Sequence, residues 1–348
     1  MTFNQAYVVF NDYLATDLLE VTRDPKDLSS GWWAVVQTFE GEFFGFKFKR
    51  PELAQISKEQ QQNVGSYRLK PSEWTSNISQ SQYESGVGEI REAIARGWVY
   101  QTNYCRILSQ EIESDFDFLR LYQNLSQRNP APYGALLVLP KSETGLAVDL
   151  NIVSASPELF IQQDGELLMS SPIKGTAKTP DGMLEKDAAE NIMIVDLIRN
   201  DLSQVTIPGT VTVPELLRIE NHPGLSHLVS DVVGRVKPNV SWNEILRAMC
   251  PPGSVSGAPK SSSLQLISEL EPEAREIYCG TIGWIDVDEN QARLSVAIRT
   301  FWQSLTSTTP KLCFGTGAGI TYGSDPTGEW LETELKAQHL LSVASASH

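Results

Sequence analysis

Apolar and polar positions alternate along the chain in a way that predicts a hairpin, then a helix, in its first hundred residues. Residues 32–48, WWAVVQTFEGEFFGFKF, are two aromatic and β-branched runs around a polar Glu-Gly-Glu turn, which is typical of a β-hairpin. After a polar stretch, apolar residues recur at helical spacing over residues 81–96, and Gly97 follows as a C-terminal cap. Two kinds of element therefore follow one another early in the chain.

The rest of the chain contains further runs of strands interrupted by helices. Strands are predicted at residues 99–112, 134–140, 146–153, 158–163, 166–170, 277–287, 293–303 and 311–321. Helices are predicted at about 115–128, 185–203, 242–249 and 259–270, and from about 326 onward. Because strands and helices come in blocks rather than in strict alternation, we expect an α+β fold. We expect residues 1–80 to form a short N-terminal region with the hairpin, packed on the same fold as a larger unit at residues 81–343.

Composition narrows the class of protein. The 348 residues carry 28 basic and 43 acidic side chains, a formal net charge of −15, which disfavours nucleic acids and anionic membranes as partners. Four scattered cysteines without CxxC spacing indicate neither a zinc site nor a disulfide framework. The first twenty residues lack the pattern of a signal peptide, so we expect a cytoplasmic protein.

Two pairs of carboxylates have the spacing of a metal site. Asp187 and Glu190 are three residues apart in one predicted helix, and Glu329 and Glu332 are three apart in the last helix. Each pair shares one helix face, and together the pairs suit a hard cation such as Mg²⁺, which prefers oxygen ligands. The alternative interpretation is that acidic residues in a first turn only complement the helix macrodipole.

Other segments are candidates for binding an anion. GTGAGITYGSDPTGE, residues 315–329, passes from a predicted strand through glycines, including Gly317 and Gly319, into a helix, which is the arrangement of an anion-binding backbone nest. PPGSVSGAPK, residues 251–260, places small residues and a lysine before a helix. Arg299, in the predicted strand SVAIRTF, is suited to a bidentate contact with a carboxylate. Tight turns and surface ion pairs explain the same residues without a ligand.

Three single residues each have two interpretations, one as part of a functional site and one as a surface or core residue without such a role. Lys174, in SSPIKGTAKT, is either a solvated lysine in a turn or a buried amine beside a substrate. Glu158, in SASPELF, is either a surface carboxylate or a general acid whose pKa is raised by burial. His227, in HLVSDVVG, is either a core histidine or part of a pocket. Composition and spacing leave these alternatives open.

The order of the motifs resembles one family. SPELF, SPIKGTAKT, DAAENIMIVDLIRNDL, HLVS, PPGSVSGAPK, VAIRT, GTGAGI and SDPTGEWLETELKA occur together over roughly residues 80–343. This series is similar to the chorismate-utilising enzymes, the superfamily of anthranilate synthase component I. Within it, PIKGT resembles the component I aminodeoxychorismate synthases, because the anthranilate, isochorismate and salicylate synthases usually have a small residue in place of Lys174.

The resemblance implies a fold of two stacked antiparallel sheets wrapped by helices, with an Mg²⁺-dependent site and chorismate as the substrate of the unit at residues 81–343. It implies that Glu190 and Glu332 bind the metal, with Asp187 and Glu329 beside them. Thr176, His227, Trp284, Arg299, Gly317 and Gly319 would contact the substrate. Lys174 would be the nucleophile and Glu158 the acid that protonates the leaving hydroxyl group.

The resemblance also implies how nitrogen is supplied. Ammonia would come from a separate glutamine amidotransferase subunit, and the product would be 4-amino-4-deoxychorismate, a precursor of p-aminobenzoate and folate. Trp284 stands where relatives often have a tyrosine, and its indole donates one hydrogen bond but accepts none. The chain before the matching region is short compared with the longer family members, so we expect insensitivity to tryptophan. Anthranilate synthase component I and a non-catalytic scaffold subunit are the rival functions.

Overall fold

The computed structural model describes residues 5–11, 13–53, 67–177, 185–222 and 225–345. Within these ranges, twenty strands and seven α-helices were assigned, and we number each kind in chain order. The helices are α1 (Gln80–Ala95), α2 (Phe118–Arg128), α3 (Lys141–Thr144), α4 (Glu185–Ser203), α5 (Trp242–Met249), α6 (Lys260–Leu270) and α7 (Pro326–Ser345). None of the helices in the described ranges is long and apolar enough to cross a membrane.

The strands form two antiparallel sheets of ten strands each. The first sheet contains β1 (Tyr7–Phe10), β2 (Tyr13–Ala15), β6 (Glu52–Leu53), β7 (Thr75–Ser76), β8 (Gln101–Glu111), β9 (Tyr133–Leu139), β10 (Leu150–Ser156), β16 (Gly257–Ala258), β19 (Thr300–Gln303) and β20 (Lys311–Ile320). The second contains β3 (Leu18–Thr22), β4 (Trp32–Gln37), β5 (Phe43–Phe48), β11 (Leu159–Asp164), β12 (Leu167–Ser171), β13 (Ile173–Ala177), β14 (Thr212–His222), β15 (Leu225–Arg235), β17 (Thr281–Asp286) and β18 (Gln291–Val296). The α+β class and the two-sheet architecture expected from the sequence are therefore confirmed.

The order of the strands explains why the N-terminal residues belong to the same fold. The first sheet runs β16-β8-β20-β19-β10-β9-β1-β2-β6, with β7 beside β8. The second runs β13-β15-β12-β11-β18-β17-β4-β5-β3, with β14 beside β15. Strands from the first 53 residues extend one edge of each sheet, and the predicted hairpin at residues 32–48 is confirmed as the pair β4 and β5.

The hydrophobic core lies mainly between the two sheets. Successive residues of β1 alternate between two cores, since Val8 and Phe10 face the second sheet whereas Tyr7 and Val9 face helices on the other side. That alternation is the period of two expected for a strand buried on both faces. Helices α2 and α7 cover the outer face of the first sheet.

Local signals in the sequence fix the ends of helix α1. Ser79 accepts a hydrogen bond from the backbone of Gln82, whose side chain in turn accepts one from the backbone of Ser79, so the helix begins with a capping box. Gly97 follows the helix with a φ of 75°, a conformation that glycine adopts without a steric penalty. The helix predicted at residues 81–96 is thereby confirmed.

The chain passes between the two sheets at two adjacent places. Strand β10 of the first sheet continues into β11 of the second through Pro157 and Glu158, and β18 of the second continues into β19 of the first through residues 297–299. These crossings are hydrogen-bonded to their neighbours, because Val296 N donates to Glu158 O (3.1 Å) and Ala155 N donates to Arg299 O (3.0 Å). The single strand predicted at residues 293–303 is wrong, since it is two strands in different sheets.

Replacing Gly283 in β17 with alanine is expected to lower the free energy of unfolding by at least about 2 kcal/mol. A Cβ atom there would lie 2.0 Å from Arg293 O and 2.6 Å from the Leu294 Cα atom, and neither backbone atom moves without disturbing the sheet. Denaturant unfolding of both proteins measures the change. The matched control is Gly88→Ala in helix α1, where no atom lies within 4 Å of the added Cβ. The free energy of unfolding of Gly88→Ala is expected to rise by about 0.5–1 kcal/mol. Equal effects of the two substitutions would contradict the packing argument.

Candidate active site

Three segments meet where the chain crosses between the sheets, and Ser254 is their common contact. Ser254 lies in the segment 250–259, which leads from α5 to α6 and pairs with the edge of β8 through β16. Its carbonyl oxygen accepts hydrogen bonds from Lys174 Nζ at 3.0 Å and from Asn103 Nδ2 at 3.1 Å. Its side chain lies beside the Glu158 carboxylate and acts to lower the pKa of that group. The predicted nucleophile and the predicted acid therefore adjoin the same residue.

Lys174 lies within strand β13 and not in a solvated turn. The pairing of β13 with β15 shifts register between Lys174 and Thr176, and the intervening Gly175 has a φ of 77°. A side chain at Gly175 would also clash with Asp187, since the added Cβ would lie 2.7 Å from the Asp187 Cβ. Burial lowers the pKa of the Lys174 ammonium, while Glu190 and Glu158 act in the opposite direction. This environment favours a neutral amine more than water does.

Glu158 is a buried carboxyl group whose pKa is raised above the ordinary value. It is only 4 % exposed, at the crossing from β10 to β11. Burial raises its pKa to about 7, against smaller lowering effects from the Ser254 hydroxyl, the Lys174 ammonium and the Ile173 backbone. A carboxyl group that holds its proton near neutral pH can act as a general acid.

Gly317 and Gly319 lie inside strand β20 and not in a nest. Neither has the positive φ that a nest requires, so the predicted nest geometry is wrong. They face Cys105 and Asn103 across the ladder, but the N–H groups of those two residues donate to other partners. These are therefore pairs without mutual hydrogen bonds, and the N–H groups of both glycines point away from β8. On the side of β20 away from β8, the pairing with β19 reaches only as far as Phe314. Strand β20 continues past that point, so the backbone donors of its later residues lie beyond β19.

Arg299 lies at the second crossing between the sheets. It was predicted within a strand, but it occupies the break between β18 and β19 and has a φ of 51°, which is uncommon for a residue other than glycine. Burial lowers the pKa of its guanidinium, and no carboxylate of the described residues offsets that effect. A desolvated guanidinium held in a strained backbone is suited to an anionic ligand.

The four predicted metal ligands lie on two helices. Asp187 and Glu190 are half-buried on α4, Glu329 is buried near the start of α7, and the half-exposed Glu332 forms an ion pair with Lys336 at 2.6 Å. Lys336 Nζ also donates to Gly317 O at 3.1 Å. Among the residues that the structure describes, no group of three or more His, Cys, Asp or Glu side chains converges closely enough to hold a metal ion. The donors are nevertheless all carboxylates, the chemistry that fits Mg²⁺.

Two further predicted residues are neighbours on the second sheet. The backbone of Thr176 pairs with that of His227 in the ladder of β13 and β15. His227 is buried, at 2 % exposure, and the Thr176 side chain lies outside the described part of the structure. Thr176 is thus two residues from Lys174 along β13, and His227 precedes Leu228, the residue that pairs with Lys174.

Trp284 lies elsewhere in the second sheet. Its ring stacks on Trp32, with centroids 6.3 Å apart, and lies 6.0 Å from the ring of Tyr13. Four strands separate its strand, β17, from β13 in the order of the sheet. The structure thus places Trp284 among N-terminal aromatic residues and does not bring it to Lys174, because the two strands are adjacent neither in sequence nor in the sheet.

Two residues that contact Lys174 or its partners were not predicted from the sequence. Ser254 and Asn103 act partly through a backbone carbonyl and an amide, which have no distinctive sequence signature. The small residues of the segment 251–260 were the available signal for Ser254.

Comparisons with known proteins show which family the chain resembles. The family model for chorismate binding enzymes matches residues 45–342. The anthranilate synthase component I-like protein of Synechocystis is 34 % identical over 293 residues, which cover 81 % of this chain and 58 % of that protein. Aminodeoxychorismate synthase component 1 of Escherichia coli is 35 % identical over 284 residues, which cover 78 % of this chain and 59 % of that protein. The chain thus spans about three fifths of the length of these relatives.

A solved structure supports the same assignment at the level of the fold. Anthranilate synthase component I from Streptococcus pneumoniae superposes with a TM-score of 0.74 at 24 % identity, covering 97 % of this chain and 90 % of that one. At this identity the similarity shows the fold alone. With the family match extending over most of the chain, the conclusion is that this protein belongs to the chorismate binding enzyme family.

Proposed function

We propose that the protein is the component I subunit of an aminodeoxychorismate synthase. It would convert chorismate and ammonia to 4-amino-4-deoxychorismate for p-aminobenzoate and folate synthesis. The observation that carries the proposal is the partly buried Lys174 amine, held 3.0 Å from Ser254 O, with the buried Glu158 beside the same serine. An amine and a protonated carboxyl group in one site are what a lysine-dependent substitution of a hydroxyl group needs.

The relatives themselves do not decide between two reactions. Some are named aminodeoxychorismate synthase component 1 and others anthranilate synthase component 1, at similar identity. Lys174 favours the first, because the residue implied there in anthranilate synthases is small. A non-catalytic scaffold subunit is disfavoured, since such a subunit has no need for a glutamate whose burial raises its pKa to about 7.

Binding of the substrate would rest on positive groups and backbone donors. Chorismate carries two carboxylates, and the partly buried Arg299 guanidinium suits one of them. The N–H groups of Gly317 and Gly319 that point away from β8 suit carboxylate oxygens as well. Thr176 and His227 would line the pocket beside Lys174. These local donors bind an anion despite the acidic composition of the chain.

The chemistry would proceed in two substitutions. The neutral Lys174 amine attacks carbon 2 of the ring, both ring double bonds shift toward carbon 4, and the bond from carbon 4 to its hydroxyl group breaks. Glu158 donates its proton to that oxygen, so the group leaves as water. Ammonia then attacks carbon 4, both double bonds shift back, and the bond between carbon 2 and Lys174 breaks. The proton that the new amino group releases returns to Glu158. The sum is chorismate plus ammonia giving the amino product plus water, and Lys174 is regenerated.

Carboxylates on α4 and α7 would hold the metal. Glu190 and Glu332 are the proposed Mg²⁺ ligands, with Asp187 and Glu329 beside them. When bound, Mg²⁺ would neutralise negative charge on a substrate carboxylate. The carboxylates would in turn require this cation, because like charges facing an anionic substrate repel it.

Ammonia would come from a separate subunit. The component 1 relatives are named as one part of a larger enzyme, and we propose a glutamine amidotransferase as the partner. Ammonium added at high concentration replaces the partner in this proposal. The test of the function is to incubate the purified chain with chorismate, Mg²⁺ and ammonium and to identify the product by chromatography. 4-Amino-4-deoxychorismate supports the proposal, whereas anthranilate would replace it with the rival reaction.

Glu190→Gln and Glu332→Gln are each expected to lower the rate at limiting Mg²⁺ about 100-fold, since each removes a charged ligand. Raising the Mg²⁺ concentration is expected to restore part of the loss, and circular dichroism checks that both variants remain folded. Asp196→Asn is the control on the same helix, because the Asp196 side chain is 75 % exposed and pairs only with Arg199 among the described residues. Near-native rates in both glutamine variants, or turnover undiminished by chelation, would refute the metal assignment.

A further inference from the structure

A largely buried ion pair lies beside the segment that carries Ser254. Lys260, at the start of α6, and Asp201, near the end of α4, approach to 2.6 Å between Nζ and Oδ2. Their side chains are 17 % and 6 % exposed. Burial raises the pKa of Asp201, and the Lys260 ammonium acts against that effect. Each charge therefore compensates the other in a site with little water.

The ammonium of Lys260 also joins the two ends of the segment that carries Ser254. Besides Asp201, Lys260 Nζ donates to Met249 O at 3.1 Å. Met249 and Lys260 flank the segment 250–259, so this one hydrogen bond ties its two ends together. Inside the segment, Ser256 Oγ donates to Pro252 O at 3.1 Å. The position of Ser254 is thus set by contacts at the base of its own loop.

The pair adjoins the site through Asp201. Glu158, Asp201, Met249, Gly253 and Ser254 line one interior gap that has no room for a water molecule, so these residues pack against one another. A shift of the segment would therefore move the Ser254 carbonyl that accepts from Lys174 and the Ser254 side chain that lies beside Glu158. Misplacement of reacting groups by about 1 Å can cost about 100-fold in rate.

We propose that Asp201 and Lys260 are positioning residues that hold Ser254 and, through it, set the geometry between Lys174 and Glu158. The inference rests on the proposed function in that Lys174 and Glu158 are taken as nucleophile and acid. Neither Asp201 nor Lys260 touches the substrate in this assignment. A purely structural ion pair, by contrast, would affect the stability of the fold and leave the turnover of the folded protein unchanged.

The decisive comparison is between Lys260→Met, which keeps the length of the side chain and removes its charge, and Lys260→Arg, which keeps the charge. Lys260→Met is expected to lower kcat for chorismate consumption by about tenfold or more while KM changes by less than about twofold. Lys260→Arg is expected to recover most of the loss. Asp286→Asn is the control, since it breaks an ion pair of similar length, 2.8 Å between the exposed Arg50 and a buried aspartate of β17, outside the proposed site. That variant is expected to keep the wild-type kcat.

Hydrogen exchange provides a readout that does not depend on activity. The peptide containing Ser254 is expected to exchange faster in Lys260→Met and at the wild-type rate in Asp286→Asn. If Lys260→Met does not fold, the double variant Asp201→Asn and Lys260→Gln, which leaves no buried charge unpaired, replaces it in both measurements. Unchanged exchange at Ser254 or an unchanged kcat in the folded variant overturns the proposal. Because kcat is measured as chorismate consumed, a product other than 4-amino-4-deoxychorismate would refute the proposed function and leave the positioning result intact.

Discussion

Lys174→Ala is expected to reduce formation of 4-amino-4-deoxychorismate by at least about 1,000-fold while the protein still binds chorismate. The reason is that the proposed reaction has no other nucleophile in the site. At an ordinary lysine pKa of about 10.4, only about 0.04 % of the amine is neutral at pH 7. Burial of Lys174 lowers that pKa and raises the neutral fraction. The measurement is the rate of product formation with saturating chorismate, Mg²⁺ and ammonium.

The control for this variant is Lys47→Ala. Lys47 is also a partly buried lysine, with 22 % of its side chain exposed, but it lies over the ring of Trp33 in the N-terminal hairpin. Its loss is expected to leave the rate within about twofold of wild type, since it has no role in the site. A Lys174→Ala protein that forms the amino product at the wild-type rate would make Lys174 a structural residue. Formation of anthranilate by that protein would favour the rival reaction.

Glu158→Gln is expected to lower kcat by about 100- to 1,000-fold, because the amide has the same shape but no proton to give to the leaving hydroxyl group. The wild-type rate is also expected to fall as the pH rises through about 7, where Glu158 loses its proton. Lys174 acts in the opposite direction, since it gains reactivity as it is deprotonated. The variant is therefore expected to lose the alkaline limb of the pH profile that belongs to Glu158.

Glu276→Gln is the matched control for this substitution. Glu276 is another buried carboxylate, 8 % exposed, but it accepts a hydrogen bond from Trp302 Nε1 at 2.6 Å and lies outside the proposed site. The Glu276→Gln variant is expected to have a lower free energy of unfolding than wild type and to keep both the acidic and the alkaline limb of the pH profile. If Glu158→Gln retains a wild-type alkaline limb, another group must protonate the leaving oxygen.

Parts of the fold were predictable because their signals are local. The hairpin at residues 32–48, the helix that ends before Gly97 and the last helix from Pro326 are each encoded by periodicity and by their terminal residues. The crossing at residues 297–299 was not predictable, because SVAIRTF has an unbroken strand-like pattern. Only the packing of the two sheets shows that β18 and β19 belong to different layers. Propensity over a short run carries no information about that change of sheet.

The residue types of the candidate site were predictable from the sequence, but the contacts between these residues were not. Motif order indicated Lys174 and Glu158, yet the hydrogen bond from Lys174 to Ser254 uses a backbone carbonyl, which every residue has. The glycines of β20 were expected in a nest, but a glycine-rich strand gives the same sequence pattern as a glycine-rich loop. Trp284 was expected beside the substrate from its place in a motif, whereas its strand leads it away from β13.

The central claim is that Lys174 forms a covalent bond to the substrate ring, and mass spectrometry of the trapped protein tests it most directly. Wild-type protein is mixed with chorismate and Mg²⁺ without ammonium, quenched in acid, digested and compared with Lys174→Ala. The account predicts an added mass of one chorismate less one water on the peptide that contains Lys174, absent from the variant and lost when ammonium is added before the quench. An unmodified Lys174 in wild-type protein that still converts chorismate to the amino product, or an adduct located on another residue, would contradict it.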